Sequence, residues 1–458
     1  MRSDQSYFFC GIGGSGMSGI AQILVARGAR VLGSDRSHDE GKHADLFANL
    51  ARQGIKLVPQ DGSRVDKSVD ALIVSSAVEL SIPDVGSAQA AGVPIMKRAE
   101  LLAGLFNGGD GVAVGGTSGK STVTGMIGHI LHAVGKDPTV VSGGRMRNFD
   151  EPPLLGNAIN GSGPIVIEAD ESDGTIELYT PRISVLTNIS FDHMPMDELK
   201  RLFRDFCERS EEPPVMNADC EVSMEIAQAM EMHTFGFADQ VDIRATDCEA
   251  TTEGMRFTVD GVPARIPLPG LHNVANTLAA MTACLALGVP VAAAVEAMTT
   301  FKGTARRLEV LGTEKGVTVI DDFAHNPDKI RAALAALKAF DGPIHVMFQP
   351  HGFGPTRMLK EGIVASLTEG LGTNDHVWMP EIYYAGGTAD RSISSRDLID
   401  EVGAKGIPAT FIADREALGA QISEDVKAGD RVVVMGARDD SLTTFGRQIL
   451  TRVAERPR

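Results

Sequence analysis

Short apolar runs that end in polar or glycine residues alternate along this chain with stretches whose apolar positions recur every three to four residues. That is the pattern of parallel strands and their crossover helices. Residues 7–14, YFFCGIGG, read as a strand and a glycine turn, MSGIAQILVARG as a helix and ARVLGSD as a second strand. DALIVSSA at 70–77 and GVPIMKRAELLAGLF continue the alternation up to a polar break, NGGDG, at 107–111. A second unit opens at GVAVGGTSGKSTVTGMIGHILHAVG. Strands are expected there at PIVIEAD (164–170) and ISVLTNI (183–189), and a sheet-packed helix over LHNVANTLAAMTACLALG (271–288). A third unit begins near residue 310, where VTVIDDFAHNP, PIHVMFQP, DHVWMP and DRVVVMGARDD are strand-like runs with polar tails. The expectation is an α/β protein of doubly wound units, in which ligands bind beyond the carboxyl ends of the strands.

Composition narrows the class. The 458 residues suffice for roughly three ordinary domains, and a mean hydropathy of zero is that of a globular chain. A net charge of −17 argues against non-specific binding to nucleic acid or anionic membranes, which needs a basic field. Phosphates would then be held by local amides and side chains. The five cysteines (Cys10, Cys207, Cys220, Cys248, Cys284) are scattered and form no CxxC pair, which fits a reducing compartment rather than a zinc cage or a disulfide framework. The amino terminus lacks a basic segment followed by a long apolar run, and no stretch reaches the ~18 apolar residues of a membrane span. A cytoplasmic protein is expected; the sequence leaves its oligomeric state open.

Candidate chemistry sits at the strand ends. Gly116-Thr117-Ser118-Gly119-Lys120-Ser121-Thr122 lies between the strand GVAVG and a helix. Small residues there let backbone amides approach a phosphate at a helix N-terminus, Lys120 can reach the outer phosphates and Ser121 can ligate Mg²⁺. Val114 stands where a standard Walker glycine would be. Gly11-Ile-Gly13-Gly14-Ser15-Gly16, followed by Asp35 at the next strand end, is a weaker fingerprint for a nucleotide pyrophosphate; a sugar nucleotide satisfies it as well as NAD. Glu168, Asp170, Glu171 and Asp173 end an apolar strand and repel one another unless a cation compensates, so a divalent metal near the phosphates is expected. Thr187-Asn188 and Asp192-His193 end the neighbouring run. His272-Asn273 and Asn276 open a helix, where their amides could read an adenine edge or simply cap the helix. Arg306-Arg307 is placed at a domain boundary to clamp a γ-phosphate with forked donors. Asp321-Asp322, His325 and Asn326 follow a strand and could hold a ribose or an incoming amine.

Taken in order, FFCGIGGSGMSGIAQIL, KRAELLAGL, AVGGTSGKSTVTGMI, EADESDGT, LTNISFDHM, GLHNVANTLAA, FKGTARRLEV, VIDDFAHNP, FQPH and VMGA resemble blocks of the Mur ligases of peptidoglycan synthesis, across essentially the whole chain. The blocks are most similar to the branch that adds L-alanine to UDP-N-acetylmuramate. The resemblance implies three domains: 1–107, Rossmann-like, for the UDP-sugar; 108–308, a P-loop-type ATPase; and 309–458, Rossmann-like, for the amine. It implies ATP and Mg²⁺ as cofactors, a UDP-N-acetylmuramate-like nucleotide sugar as one partner, and an amino acid or short peptide as the other. Lys120 and Ser121 would hold phosphates and Mg²⁺, Glu168 and His193 would ligate metal, and Asn273 and Asn276 would face adenine. Arg307 would meet the γ-phosphate and Asp322 the ribose. Gly13, Gly14, Ser15, Gly16, Asp35, Ser75 and Arg98 would line the sugar-nucleotide site, and His325, His351 and Arg357 the amine site. Transfer of the γ-phosphoryl group to a carboxylate and attack of an amine on the acyl-phosphate is the implied chemistry.

The sequence departs from the family pattern in places. Ser118 replaces the usual histidine of the phosphate loop and Ser121 the usual threonine, both chemically mild. In the third unit, Gly352 stands where an arginine is usual, His325-Asn326-Pro327 replaces HHP, and Gly436-Ala437-Arg438-Asp439-Asp440 replaces GAGDI. Those positions bear on the amine, so a Mur-type ligase for another amine, such as a tripeptide, or for another acid is the alternative. A nicotinamide dehydrogenase explains only the first thirty-five residues, and a non-catalytic relative does not account for the retention of Lys120, Ser121, Glu168, His193 and Arg307. Lys120 is expected to be an exposed loop lysine whose removal stops turnover without harming the fold.

Overall fold

A computed structural model describes residues 5–75, 81–171, 174–191, 194–251, 253–384, 390–439 and 441–456. His193, with Asp173, Asp192 and Asp440, lies outside the described residues. The chain divides into two compact units, one ending at Thr304 and one beginning at Ala305, with Glu249–Arg256 and Leu268–Asn273 grouped with the second.

The first unit holds two sheets. Five parallel strands run in the order Lys56–Leu57, Arg30–Ser34, Ser6–Cys10, Ala71–Val74, Ile95–Lys97. The chain goes one way from the central strand and then the other, so the turn after Cys10 falls at the switch point where such sheets bind ligands. The second sheet has ten strands. At its centre Gly111–Gly115 is flanked in parallel by Ile183–Leu186 and Ile165–Glu168. Covered on both faces, it reads as an unbroken apolar run and is buried throughout. Parallel pairing at that register brings Gly116–Gly119, Thr187–Asn188 and Glu168–Glu171 to one edge. Helix Lys120–Ala133, buried from Ser121 to Leu131, closes over the sheet.

The two sheets of this unit are joined by a polar knot. Gln22, on helix Ser15–Ala26, donates to Asn157 Oδ1 (2.9 Å), and Asn157 Nδ2 donates to Ser18 Oγ (2.9 Å) and to the Ser15 carbonyl (2.6 Å). Buried amides so paired carry little desolvation penalty and fix one register.

The second unit is a six-stranded sheet ordered Glu309–Glu314, Val317–Asp322, Arg431–Gly436, Ile344–Gln349, His376–Met379, Ala409–Phe411. Only the first pair is antiparallel. Apolar side chains pack on both faces, one layer around Leu334, Phe348 and Leu367, the other around Trp378, Val432 and Phe445.

Candidate active site

The phosphate loop is shaped before any ligand arrives. Gly116 has φ +124°, and a Cβ there would stand 2.1 Å from Thr187 Oγ1, so only glycine fits. Gly119, at φ +90°, lies against Asn276, whose Oδ1 would be 2.6 Å from an added Cβ. The neighbouring strand end braces the loop. Thr117 Oγ1 donates to Asn188 Oδ1 (2.8 Å), and the Ser118 amide donates to the same oxygen (3.1 Å). Thr187 Oγ1 and Asn188 Nδ2 donate to the Ser118 carbonyl at 2.6 and 3.0 Å. The sequence marked Thr187-Asn188 as near this edge but gave no sign that they build the loop itself.

Lys120 is not the exposed lysine expected. Its side chain is 15% exposed; the ammonium donates to the Gly116 carbonyl (2.8 Å) and to Glu171 Oε2 (2.7 Å), a carboxylate that is itself 2% exposed. Burial works against the charge, but Glu171, Asp170 and Glu168 outweigh it and hold the ammonium above its ordinary pKa. The cause is the order of the strands, which puts the acidic strand end beside the loop.

Glu168 and Ser121 come together across a turn that the sequence reading passed over, Ser142-Gly143-Gly144. Ser142, buried, donates its hydroxyl to Glu168 Oε1 (2.8 Å) and accepts from the Gly144 amide (3.1 Å). A Cβ on Gly143 would be 2.9 Å from Glu168 Oε2, and one on Gly144 would be 3.1 Å from Ser121 Cβ. The signal was the small-residue run SGG after the strand Thr139–Val141. A hydroxyl and a carboxylate around one small-residue turn are hard oxygen donors of the kind Mg²⁺ takes, and that ion needs few protein ligands because it keeps its waters. The donor set fits. Among the described residues no three His, Cys, Asp or Glu side chains cluster as a metal cage.

At the other glycine turn, Gly13 N donates to Asp35 Oδ2 (2.9 Å) while Asp35 Oδ1 caps the short helix Arg36–Asp39 through Ser37 N (2.8 Å). Arg98 lies over the turn: a Cβ on Gly16 would be 3.1–3.3 Å from its side-chain atoms. Gly14 and Ser15 are exposed, and Ser75 follows the strand Ala71–Val74, half-buried. A cation over exposed amides suits a pyrophosphate.

In the second unit, Asp322 is pinned by backbone. Its two oxygens accept from Leu308 N and Ala324 N, each at 2.7 Å, and burial pushes its carboxyl above the usual range against the pull of Arg307. Arg306 and Arg307 both lie 5.0 Å from the centre of the Phe323 ring. Arg306 (φ +58°) is committed to structure, donating to the Gly436 carbonyl (2.8 Å) beside the buried Asp321. His325 Nδ1 donates to the Phe323 carbonyl (2.9 Å), which sets its tautomer, and its ring lies 5.5 Å from that of His351. Burial, with Arg438 nearby, holds His351 below the usual histidine pKa. Arg357 pairs with Asp390 (2.9 Å) and Ser392 (3.0 Å). Asn273, in the first turn of the helix Leu271–Ala286, donates its side-chain amide to the Pro269 carbonyl (2.7 Å).

Two glycine turns at the ends of parallel strands, one of them a braced phosphate loop with a largely enclosed lysine, and a third sheet with paired histidines at its edge mark a nucleotide-using α/β enzyme. Family models match along the chain: Mur ligase family, catalytic domain at residues 6–109, Mur ligase middle domain at 114–284, and Mur ligase, glutamate ligase domain at 306–438. This chain belongs to the Mur ligase family. It is 34% identical to the UDP-N-acetylmuramate–L-alanine ligase of Kineococcus radiotolerans over 97% of this chain and 96% of that one. It is 35% identical to the enzyme of the same name from Geobacter sulfurreducens, over 94% of each. Among solved structures it is similar to the UDP-N-acetylmuramate–alanine ligase of Thermotoga maritima, with a TM-score of 0.79, 26% identity and 98% of both chains covered. The fold is shared too with a murein peptide ligase of Psychrobacter arcticus (TM-score 0.69, 22% identity, 99% and 100% covered).

Proposed function

We propose that this Mur ligase joins UDP-N-acetylmuramate to L-alanine at the expense of ATP, releasing ADP and phosphate. The observation that carries the reading is the braced phosphate loop with Lys120 anchored beside the acidic strand end, in a chain similar end to end to ligases of that name. We assign the UDP-sugar to residues 1–107, the nucleotide triphosphate to 108–308 and the amine to 309–458.

In this reading Gly13 to Gly16, Asp35, Ser75 and Arg98 hold the sugar nucleotide. The amides of Gly116 to Thr122 cradle the ATP phosphates, and Lys120 and Arg307 spread the charge that develops as the γ-phosphoryl group passes to the substrate carboxylate. Ser121 and Glu168, with His193, would hold Mg²⁺, which when bound neutralises charge on the phosphate oxygens. Asn276, against Gly119, steadies the loop as well as being assigned with Asn273 to the adenine side. Asp322 is assigned to the ribose. The acyl-phosphate is then attacked by the amine, giving a tetrahedral intermediate that collapses to amide and phosphate. His325 is favoured as the base for the amine, because its Nδ1 proton is committed to Phe323 and Nε2 is therefore the basic nitrogen. His351 and Arg357 are assigned to the amino acid. The compartment we infer is the cytoplasm, supported by five free thiols.

The replacement of an arginine by Gly352, in a turn at φ +70°, favours a second reading in which the amine is a larger one, such as a short peptide. Phosphate release from ATP, Mg²⁺ and UDP-N-acetylmuramate, with each amine added in turn, tests both. Release with L-alanine supports the first reading. Release only with a peptide moves the substrate, and no release with any amine overturns the ligase assignment for these substrates.

A further inference from the structure

The acidic strand end carries more carboxylates than metal binding requires. Glu168 faces Ser142 and the glycine turn, whereas Glu171, three residues on, turns to the phosphate loop and meets Lys120 Nζ at 2.7 Å. Glu171 is 1% exposed, so its charge is not a solvated surface charge. A buried carboxylate persists only with a close partner, and the ammonium of Lys120 is that partner. Lysine has three donors on a flexible stem. Here one goes to the Gly116 carbonyl and one to Glu171, and two anchors at 2.8 and 2.7 Å leave the ammonium little freedom to swing out of the loop.

Resting on the ligase reading above, we propose that Glu171 is a positioning residue: it tethers Lys120 inside the phosphate loop, with the third ammonium donor left for a phosphate oxygen. A long lysine stem free in solvent loses its rotamer freedom when it engages phosphate; tethered in advance, it has lost that freedom already. The arrangement also has a cost that gives it a signature. The Glu171 carboxylate is a negative charge one ammonium away from the phosphates, so it opposes nucleotide binding while it favours the geometry of transfer. A purely structural ion pair has no such divided effect. Of the other acids, Glu168 and Asp170 act on Lys120 through space, but Glu171 is the one in contact among the described residues.

The test is Glu171→Gln, which keeps the shape and an acceptor oxygen and removes the charge, with Glu171→Asp beside it. ADP affinity is titrated without Mg²⁺, and kcat is measured by phosphate release at saturating ATP, counted per nucleotide-binding-competent molecule so that partial unfolding does not mimic a catalytic loss. Glu171→Gln is expected to lower kcat about tenfold while binding Mg²⁺-free ADP several-fold more tightly, and Glu171→Asp to fall between it and the parent in both. A Gln variant with kcat within about twofold of the parent, or with ADP affinity unchanged or weakened, overturns the proposal. If the parent itself turns over no substrate, the ligase reading fails, and the ADP titration alone still decides on Glu171: tighter binding in the Gln variant upholds the tether, and equal or weaker binding overturns it.

Discussion

The turn after Cys10 and the loop after Gly115 have the same plan, a parallel strand, a glycine turn and a helix N-terminus, yet they are finished in opposite ways. The first is open. Gly14 and Ser15 are exposed, one carboxylate, Asp35, ties Gly13 to the next strand, and Arg98 is the cation overhead. The second is closed. Thr117 is 2% exposed, Thr187 and Asn188 brace the carbonyl and amides, and the cation is largely enclosed beside a buried counter-ion. The difference fits the role proposed for each. In that proposal a sugar nucleotide's pyrophosphate is only held, so an open turn beneath one cation suffices. A γ-phosphoryl group that is transferred needs donors fixed where charge develops, in a site that excludes water.

The comparison breaks first at Lys120. Lys120→Ala removes both the phosphate donor and the partner of a buried carboxylate. Turnover should fall about 10³-fold, as when a fixed charge-stabilising donor is lost, and the fold should lose about 3–5 kcal/mol, as for any buried pair cut on one side. Neutralising the orphan in Lys120→Ala/Glu171→Gln should restore most of the melting temperature without restoring phosphate release. Equal melting temperatures for the single and double variants would show that the closed loop is not held by this pair.

Glycine substitutions measure the two turns directly. Gly116→Ala meets backbone as well as the Thr187 hydroxyl and forces a non-glycine residue to φ +124°, so about 3 kcal/mol and most nucleotide affinity should go. Gly13→Ala meets the end of the Asp35 side chain at 2.9 Å, which can swing away, and the buried Phe47 ring at 3.1 Å, which need give only a few tenths of an ångström, and about 1 kcal/mol is expected. Denaturant melts and ADP titrations of the pair check this; equal costs would erase the contrast.

Asp35→Ala sharpens the contrast from the open side. It should cost about 1 kcal/mol through the lost cap and raise the KM for the sugar nucleotide roughly tenfold. The KM for ATP should stay unchanged, as steady-state kinetics with either substrate varied would show.

A separate effect concerns acid, and it should begin outside both turns. His272 and His376, both in the second unit, are pushed down to about 4 by burial. Their pKa in the unfolded chain is ~6.5. Between those values the unfolded chain takes up protons that the folded one refuses, so this stability is full above ~6.5 and is lost as pH falls towards 4. His376 stacks on Trp378, the single tryptophan, with ring centres 4.0 Å apart, so fluorescence reads the event. His376→Gln should flatten the slope, and an unchanged slope would move the acid sensitivity elsewhere.

Much of this was legible without coordinates. The central strands were readable because GVAVG, IVIE and ISVL are short, largely buried runs whose polar residues are few, Ser184 within one and Glu168 at the end of another. The helix expected over 271–288 runs from Leu271 to Ala286, since nothing in that run interrupts a helix before Gly288. What escaped was the half-exposed and the antiparallel. Strands Ile243–Thr251, Gly254–Val259 and Val262–Ile266 mix polar with apolar residues, and Glu309–Glu314 pairs antiparallel at an edge, where one open side tolerates charge.

The sequence by itself determined the class of chemistry. A glycine loop followed by lysine at a helix start can do little else than meet phosphate, and the requirement is local, written in neighbouring residues. Only the tertiary structure decided how that loop is held. Thr187, Asn188, Ser142 and Glu171 lie 26 to 71 positions from the residues they brace, on strands whose order no local pattern encodes. Burial, too, is a property of the assembled sheet: it turned a lysine read as exposed into half of a buried ion pair, because the strand beside it ends in carboxylates.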